Sequence, residues 1–128
     1  MTRLAGGLLA LSALVMMGCH VSVSRGGGDF EVLQPYGKPK NPFSPAVRVG
    51  KLIYLSGEVG TDSTDTLVPG GIEAETRQTM ENIKRTLGTL GLGMDRLVKC
   101  TVFVADIAEW PRMNVVYRSY FPDGKYPA

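Results

Sequence analysis

The chain has 128 residues, 44% of them hydrophobic and 20% charged, which suits one soluble globular domain and excludes a disordered chain. Its net charge of +2 comes from scattered bases interleaved with acids, so no basic stripe offers a nucleic acid a track. Two cysteines, Cys19 and Cys100, and a single histidine, His20, are too few for a disulfide framework or a zinc or iron site. They also leave no histidine in the folded part for hydrolytic schemes that need one.

Arg3 opens the chain with a positive charge, and Leu4 to Met17 form an apolar run whose smaller members are Gly, Ala and Ser. At about fourteen residues the run is shorter than the roughly twenty that a membrane-spanning helix needs, and it fits the apolar region of a signal peptide. Met16-Met17-Gly18-Cys19 then resembles a bacterial lipobox, in which a small residue precedes the cysteine that becomes lipidated; Met stands where Leu is usual. Residues 1–19 therefore read as a lipoprotein-type signal with Cys19 as the lipidation site. Residues 20–28 (HVSVSRGGG) read as a Ser/Gly-rich tether. The expected location is membrane-anchored, facing the periplasm or the cell exterior, with the lipid as the only membrane contact; a signal left unprocessed would leave the protein cytoplasmic. A misassigned start codon or a buried N-terminal helix are the other readings, and the absence of a polar face argues against the helix.

The folded domain is expected over residues 29–128, near the lower end for a self-sufficient core at about 100 residues. Phe30 to Leu33 is a short strand candidate ended by Pro35, and the three prolines between Lys38 and Pro45 favour an extended loop. Val47 to Val49 and Leu52 to Leu55 flank Gly50-Lys51, a two-residue hairpin signal with Gly supplying the positive φ. Thr61 to Gly71 reads as a surface loop. From Ile72 to Leu90 the period changes: Thr76, Met80, Ile83, Leu87 and Leu90 share one helical face, with Glu73–Arg77 and Glu81–Arg85 as i,i+4 pairs on the solvated side. Gly91 and Gly93 stop that helix. Leu97 to Val104 is again a strand, with Val98, Cys100, Val102 and Val104 on one face and Cys100 taken as core packing. Asp106 and Glu109 have capping-box spacing ahead of Pro111, and Trp110, Met113, Tyr117 and Tyr120 form the apolar face of a second helix ended by Pro122-Asp123-Gly124. Parallel pairing of the strands at Leu52 and Leu97 would make a right-handed βαβ unit. The expected architecture is an α+β sandwich, a mixed sheet with both helices on one face.

Five stretches in register resemble the Rid (YjgF-type) family of reactive-imine deaminases. Asn41-Pro42-Phe43-Ser44-Pro45-Ala46 is similar to the family's Gly-Pro-Tyr-Ser-x-Ala, and Leu52 to Glu58 (LIYLSGE) to its Leu-Ser-Gly-Gln strand. Glu73 to Lys84 (EAETRQTMENIK) resembles its first helix, Val98 to Asp106 (VKCTVFVAD) its next strand, and Asn114 to Tyr117 its second helix. Tyr126-Pro127-Ala128 stands where family chains read Pro-Ala and then Arg-Ser or Arg-Thr.

The resemblance implies a chorismate-mutase-like homotrimer with active sites at subunit clefts. The implied reaction is water addition to enamine and imine acids released by pyridoxal-phosphate enzymes, giving 2-oxo acids and ammonia, with no metal or organic cofactor. Ser56, Gly57 and Asn114 take the catalytic positions of that resemblance, and Phe43 and Asn114 the substrate-binding ones; Phe43 replaces a tyrosine and Glu58 stands where many members have Gln. The carboxylate-binding arginine would follow Ala128 directly, then the last two strands and a late glutamate, so the 128 residues read as a fragment of a longer protein, inactive by itself. A non-catalytic trimer that binds small carboxylates or partner proteins is the alternative. Single-strand endoribonuclease activity, a label the family has carried, is disfavoured because the domain offers no histidine pair, metal constellation or basic aromatic patch. The usual substrates arise in the cytoplasm, which conflicts with an exported lipoprotein.

Overall fold

The computed structural model describes residues 30–128. The signal-like run, Cys19 and the tether lie outside the described residues. Three short strands form an antiparallel meander: β1 (Phe30–Leu33), β2 (Ala46–Val49) and β3 (Leu52–Leu55), with β2 in the middle. Val49 pairs with Leu52 across the Gly50-Lys51 turn, and Gly50 carries φ 59°, the positive value that this two-residue hairpin asks of its first turn residue. Along β3 the pleat alternates, with Ile53 and Leu55 half-covered and Leu52 and Tyr54 exposed.

Two helices complete the α+β fold, α1 (Gly71–Thr89) and α2 (Trp110–Arg118). The expected apolar stripe of α1 is the one that is covered: Met80 and Leu87 are buried with Met113 and Val116 of α2 and with Phe121 beyond it. Each of these side chains contributes roughly 1.5–3 kcal/mol by leaving water, and together they hold the helix pair. α1 ends in a Schellman arrangement, with Leu92 N–H bonded to Leu87 O at 2.9 Å, Gly91 N–H bonded to Gly88 O at 3.1 Å, and Gly91 at φ 71°. Asp106 caps the 3-10 turn Ile107–Glu109 by accepting from Ala108 N–H at 2.9 Å, and Pro111 sits in the first turn of α2 where its missing N–H costs nothing.

Four expectations are corrected. The sheet is antiparallel among the described residues rather than mixed, because Leu97–Val104 does not join it. Among the described residues that segment's ladder amounts to two bonds, Cys100 N–H to Ala128 O at 3.0 Å and Ala128 N–H to Val98 O at 3.1 Å, the pattern of a single parallel bridge. Alternating apolar residues cannot make a strand without a partner that takes up their backbone groups. Consequently Cys100 is half-covered instead of core-packed, and Phe103 is 91% exposed.

The solvated pairs of α1 also re-partner. Glu73 makes a bidentate ion pair with Arg112 of α2 rather than with Arg77. Glu81 accepts from Tyr120 Oη at 2.9 Å and lies 3.9 Å from Lys84, leaving Arg85 for other partners. A neighbouring helix offers better geometry than an i,i+4 neighbour on an exposed face, where a pair is worth only a few tenths of a kcal/mol. In α2, finally, Val116 takes the buried position beside Met113, and Trp110 is exposed.

Candidate active site

The end of β3 leads into Ser56, Gly57 and Glu58, and the proline-rich segment 35–45 lies across them. Ser56 fixes that crossing: its N–H and its hydroxyl both donate to Pro45 O, at 3.0 and 3.3 Å. The hydroxyl proton is thus spent, and the Ser56 oxygen keeps its lone pairs for another group. Gly57 N–H has no hydrogen-bond acceptor among the described residues, and the Gly57 Cα faces open space. Between this strand end and the loop is a cleft of about 480 Å³ lined by Tyr36, Phe43, Ser56, Gly57, Glu58, Arg85 and Thr86, among others. A second hollow of about 460 Å³ continues from it toward Lys38, Lys40, Asp62 and Asp65.

α1 forms the far wall, and a buried asparagine sets its distance. Asn82 donates through Nδ2 to Val59 O and Thr61 O, both at 3.0 Å, while its Oδ1 accepts from Gln78 Nε2 at 2.9 Å and Arg85 at 3.0 Å. All of its bonding capacity is used, as a buried amide requires. The loop it grips comes so close to α1 that a Cβ at Gly60 would lie 2.7 Å from both Cα and O of Glu75, so only glycine fits.

Three polar side chains run along this wall. Tyr36 Oη and Thr86 Oγ1 are 2.9 Å apart, and Thr86 Oγ1 donates to Glu58 Oε1 at 3.4 Å. With the Thr86 proton directed to the carboxylate, Tyr36 is the donor to Thr86. Half-burial raises the Glu58 carboxyl above its ordinary value, opposed by the Thr86 hydrogen bond and the charge of Arg85. The Arg85 guanidinium sits 6.0 Å from the centre of the Tyr36 ring. Among the described residues, no group of three or more His, Cys, Asp or Glu stands close enough to hold a metal ion.

The family model described as Endoribonuclease L-PSP matches residues 35–128. The chain belongs to the Rid family. A RutC family protein of Pyrococcus horikoshii is 36% identical over 89 residues, covering 69% of this chain and 71% of its own length. A mouse 2-iminobutanoate/2-iminopropanoate deaminase is 41% identical over 88 residues, covering 68% of this chain and 64% of its own length. This chain thus spans about two thirds of each of these relatives. Among solved structures, the Rid protein YyfA of Yersinia pestis superposes with a TM-score of 0.70 at 30% identity, covering 78% of this chain and 82% of that one. TdcF of E. coli, solved with bound serine, gives a TM-score of 0.63 at 26% identity, covering 69% and 71%.

Of the site residues that the sequence singles out in this Rid chain, Phe43, Ser56 and Gly57 come together at the cleft. Asn114 does not: it lies half-buried on α2 and lines neither hollow. Glu58, whose reach the sequence left open, does line the cleft. Tyr36, Arg85 and Thr86 were missed. Thr86 is 1% exposed, yet an apolar-stripe reading passes over a polar residue beside the stripe. The available signal was the pair Asn82 and Thr86, four residues apart on one helical flank with Arg85 between them.

Proposed function

We propose that the protein is an enamine/imine deaminase, hydrolysing short-lived 2-imino acids of the 2-iminobutanoate and 2-iminopropanoate type to 2-oxo acids and ammonia. The observation that carries the reading is the cleft, where an unused backbone N–H of Gly57 and the free lone pairs of Ser56 meet the Phe43 wall. The deaminase relative at 41% identity supports the same reaction. A protonated imine is already a good electrophile, so the protein's task is to orient it and to admit one water. Water adds to the imine carbon, the carbinolamine transfers a proton from oxygen to nitrogen, and the C–N bond breaks to release ammonia and the 2-oxo acid. Gly57 N–H can donate to a substrate oxygen, the Ser56 oxygen can accept from the imine N–H, and Phe43 supplies an apolar wall without a phenol's hydrogen bond.

In this reading the substrate carboxylate is held by the arginine that the family resemblance puts after Ala128, a bidentate role suited to a guanidinium. The working form is a homotrimer with the cleft at the subunit boundary. Its support is the exposed apolar surface of Tyr54, Val98 and Phe103 on this chain and the separation of Asn114 from its own chain's cleft, which leaves Asn114 to serve a neighbour. No cofactor enters the scheme. The protein is placed outside the inner membrane by a lipid on Cys19; no helix among the described residues is long and apolar enough to cross a membrane. Cell fractionation with Cys19→Ala tests that placement, since unchanged membrane association removes the anchor.

The activity is tested by generating 2-iminobutanoate in situ with an amino-acid oxidase and following 2-oxo acid release in the presence of the native protein. Acceleration over buffer is expected. No acceleration, under conditions where the mouse deaminase accelerates the same release, would leave the non-catalytic Rid relative as the reading.

A further inference from the structure

Three charged side chains line the cleft, Glu58, Asp65 and Arg85, and none has a part in the imine hydrolysis; Glu58 and Arg85 are the two held against the Asn82–Thr86 wall. Glu58 takes one hydrogen bond, from Thr86 at Oε1, and its second oxygen has no protein partner among the described residues. Arg85 gives one N–H to Asn82, and its remaining N–H groups have no partner among the described residues. Both side chains line the same cavity, yet no ion pair within 4.0 Å joins them. Each is held off the other by its own tether, Glu58 by the Thr86–Tyr36 pair and Arg85 by the buried amide of Asn82. The cleft therefore presents an acceptor-only group and a donor-only group side by side, both with capacity to spare.

We propose that Glu58 and Arg85 form a side-chain subsite that selects 2-imino acids carrying a neutral carboxamide. The proposal rests on the deaminase reading and names the substrate class within it. A carboxamide donates through its nitrogen and accepts through its oxygen, so it can satisfy the carboxylate and the guanidinium together. A side-chain carboxylate would face Glu58, a side-chain cation would face Arg85, and a hydrocarbon would strip water from both without replacing its bonds. Half-burial strengthens the Glu58 side of this contact, because a hydrogen bond is electrostatically stronger where water is partly excluded. The open cleft of about 480 Å³ has room for such a side chain.

L-Asparagine, L-aspartate and L-leucine have side chains of one shape and three chemistries. Their imines, generated in situ by amino-acid oxidases, are given to the native protein and compared by kcat/KM. The asparagine-derived imine is expected to lead the other two by about tenfold or more, the worth of one hydrogen bond to a charged group. Glu58→Leu brings the asparagine-to-leucine ratio down toward unity, and Glu58→Gln, which removes the charge but keeps the shape, raises the aspartate-derived imine relative to the asparagine-derived one. Circular dichroism establishes that each variant is folded, and the wild-type ratios stand as a test without either. Equal kcat/KM for the asparagine and leucine imines in the wild type, or an unchanged ratio in folded Glu58→Leu, overturns the subsite. If no imine is turned over, it is the deaminase reading that fails. Calorimetric titration with L-asparagine and L-leucine then decides the subsite: preferential asparagine binding supports it, and equal or absent binding overturns it.

Discussion

Replacing Asn82 by Ala should be among the most damaging single changes in the domain. Asn82 is 4% exposed and makes four hydrogen bonds, two of which tie the Val59–Thr61 loop to α1. Each bond is worth about 1 kcal/mol net, and the loop carbonyls and the Gln78 and Arg85 donors lose a partner at the same time. The expected loss is about 2–4 kcal/mol, which for a domain of this size corresponds to a fall in Tm of roughly 10–30 °C. Urea unfolding of the native protein, followed by tryptophan fluorescence and circular dichroism, measures it as a shift in midpoint at constant slope. Asn82→Asp separates size from hydrogen bonding, because it keeps the acceptor for Gln78 and Arg85 but turns a carboxylate toward two carbonyl oxygens. It should cost at least as much as Ala at neutral pH. A cost below about 0.5 kcal/mol for Ala, the range of an ordinary surface change, or a tolerated Asp, refutes the claim that the two amide donors hold the loop.

Gly60→Ala would press a methyl group against the Glu75 backbone and should cost about 1–3 kcal/mol, whereas Gly57→Ala meets open space and should leave thermal stability unchanged while narrowing the cleft, which imine turnover would register. Glu58 has a raised folded-state pKa, so the folded protein takes up its proton more readily than the unfolded chain. Its ionisation therefore costs nothing below the unfolded value of 4.5, and the cost grows as the pH rises and is complete above the folded value; Glu58→Gln should thus gain stability over wild type only toward neutral pH in a urea-unfolding series. Glu73 runs the other way, its pKa lowered by Arg112. The pair's contribution is present above the unfolded carboxylate value and lost as the pH falls through the folded one, and being exposed it should be small and shrink with added salt when wild type and Arg112→Ala are compared.

The periodic elements were legible because their signals are local. The Gly50-Lys51 hairpin, the stripe through Met80 and Leu87, and the Gly91 stop each need only a turn, a period or a cap, and all three are present as read. The failures concern partnership. Val98 to Val104 alternates like a strand, but whether it becomes one depends on backbone groups elsewhere, and among the described residues Ala128 alone supplies them. Glu73 and Arg77 have ideal i,i+4 spacing, yet no local rule foresees that α2 brings Arg112 to Glu73. At the site, Phe43, Ser56 and Gly57 were found by family resemblance. Glu58 belongs to the same matched stretch, but its place in the cleft, like those of Arg85, Thr86 and Tyr36, depends on three separate segments converging and carries no spacing signature.

The helix α1 shows why those residues were hard to read. One flank follows the rule that apolar residues face inward, and it buries Met80 and Leu87. The adjoining flank breaks the rule by burying Asn82 and Thr86. Burying an amide and a hydroxyl is costly unless every group is bonded, so a sequence that places them there must also supply the partners. It does so from outside the helix: Val59 and Thr61 carbonyls for Asn82, and Tyr36 and Glu58 for Thr86. Those partners are the residues that shape the cleft. The polar flank therefore contributes position rather than core packing, holding the loop, the strand end and Arg85 at fixed distances around one cavity. Local sequence rules that fail together on one face mark that face as the part of the helix committed to the site.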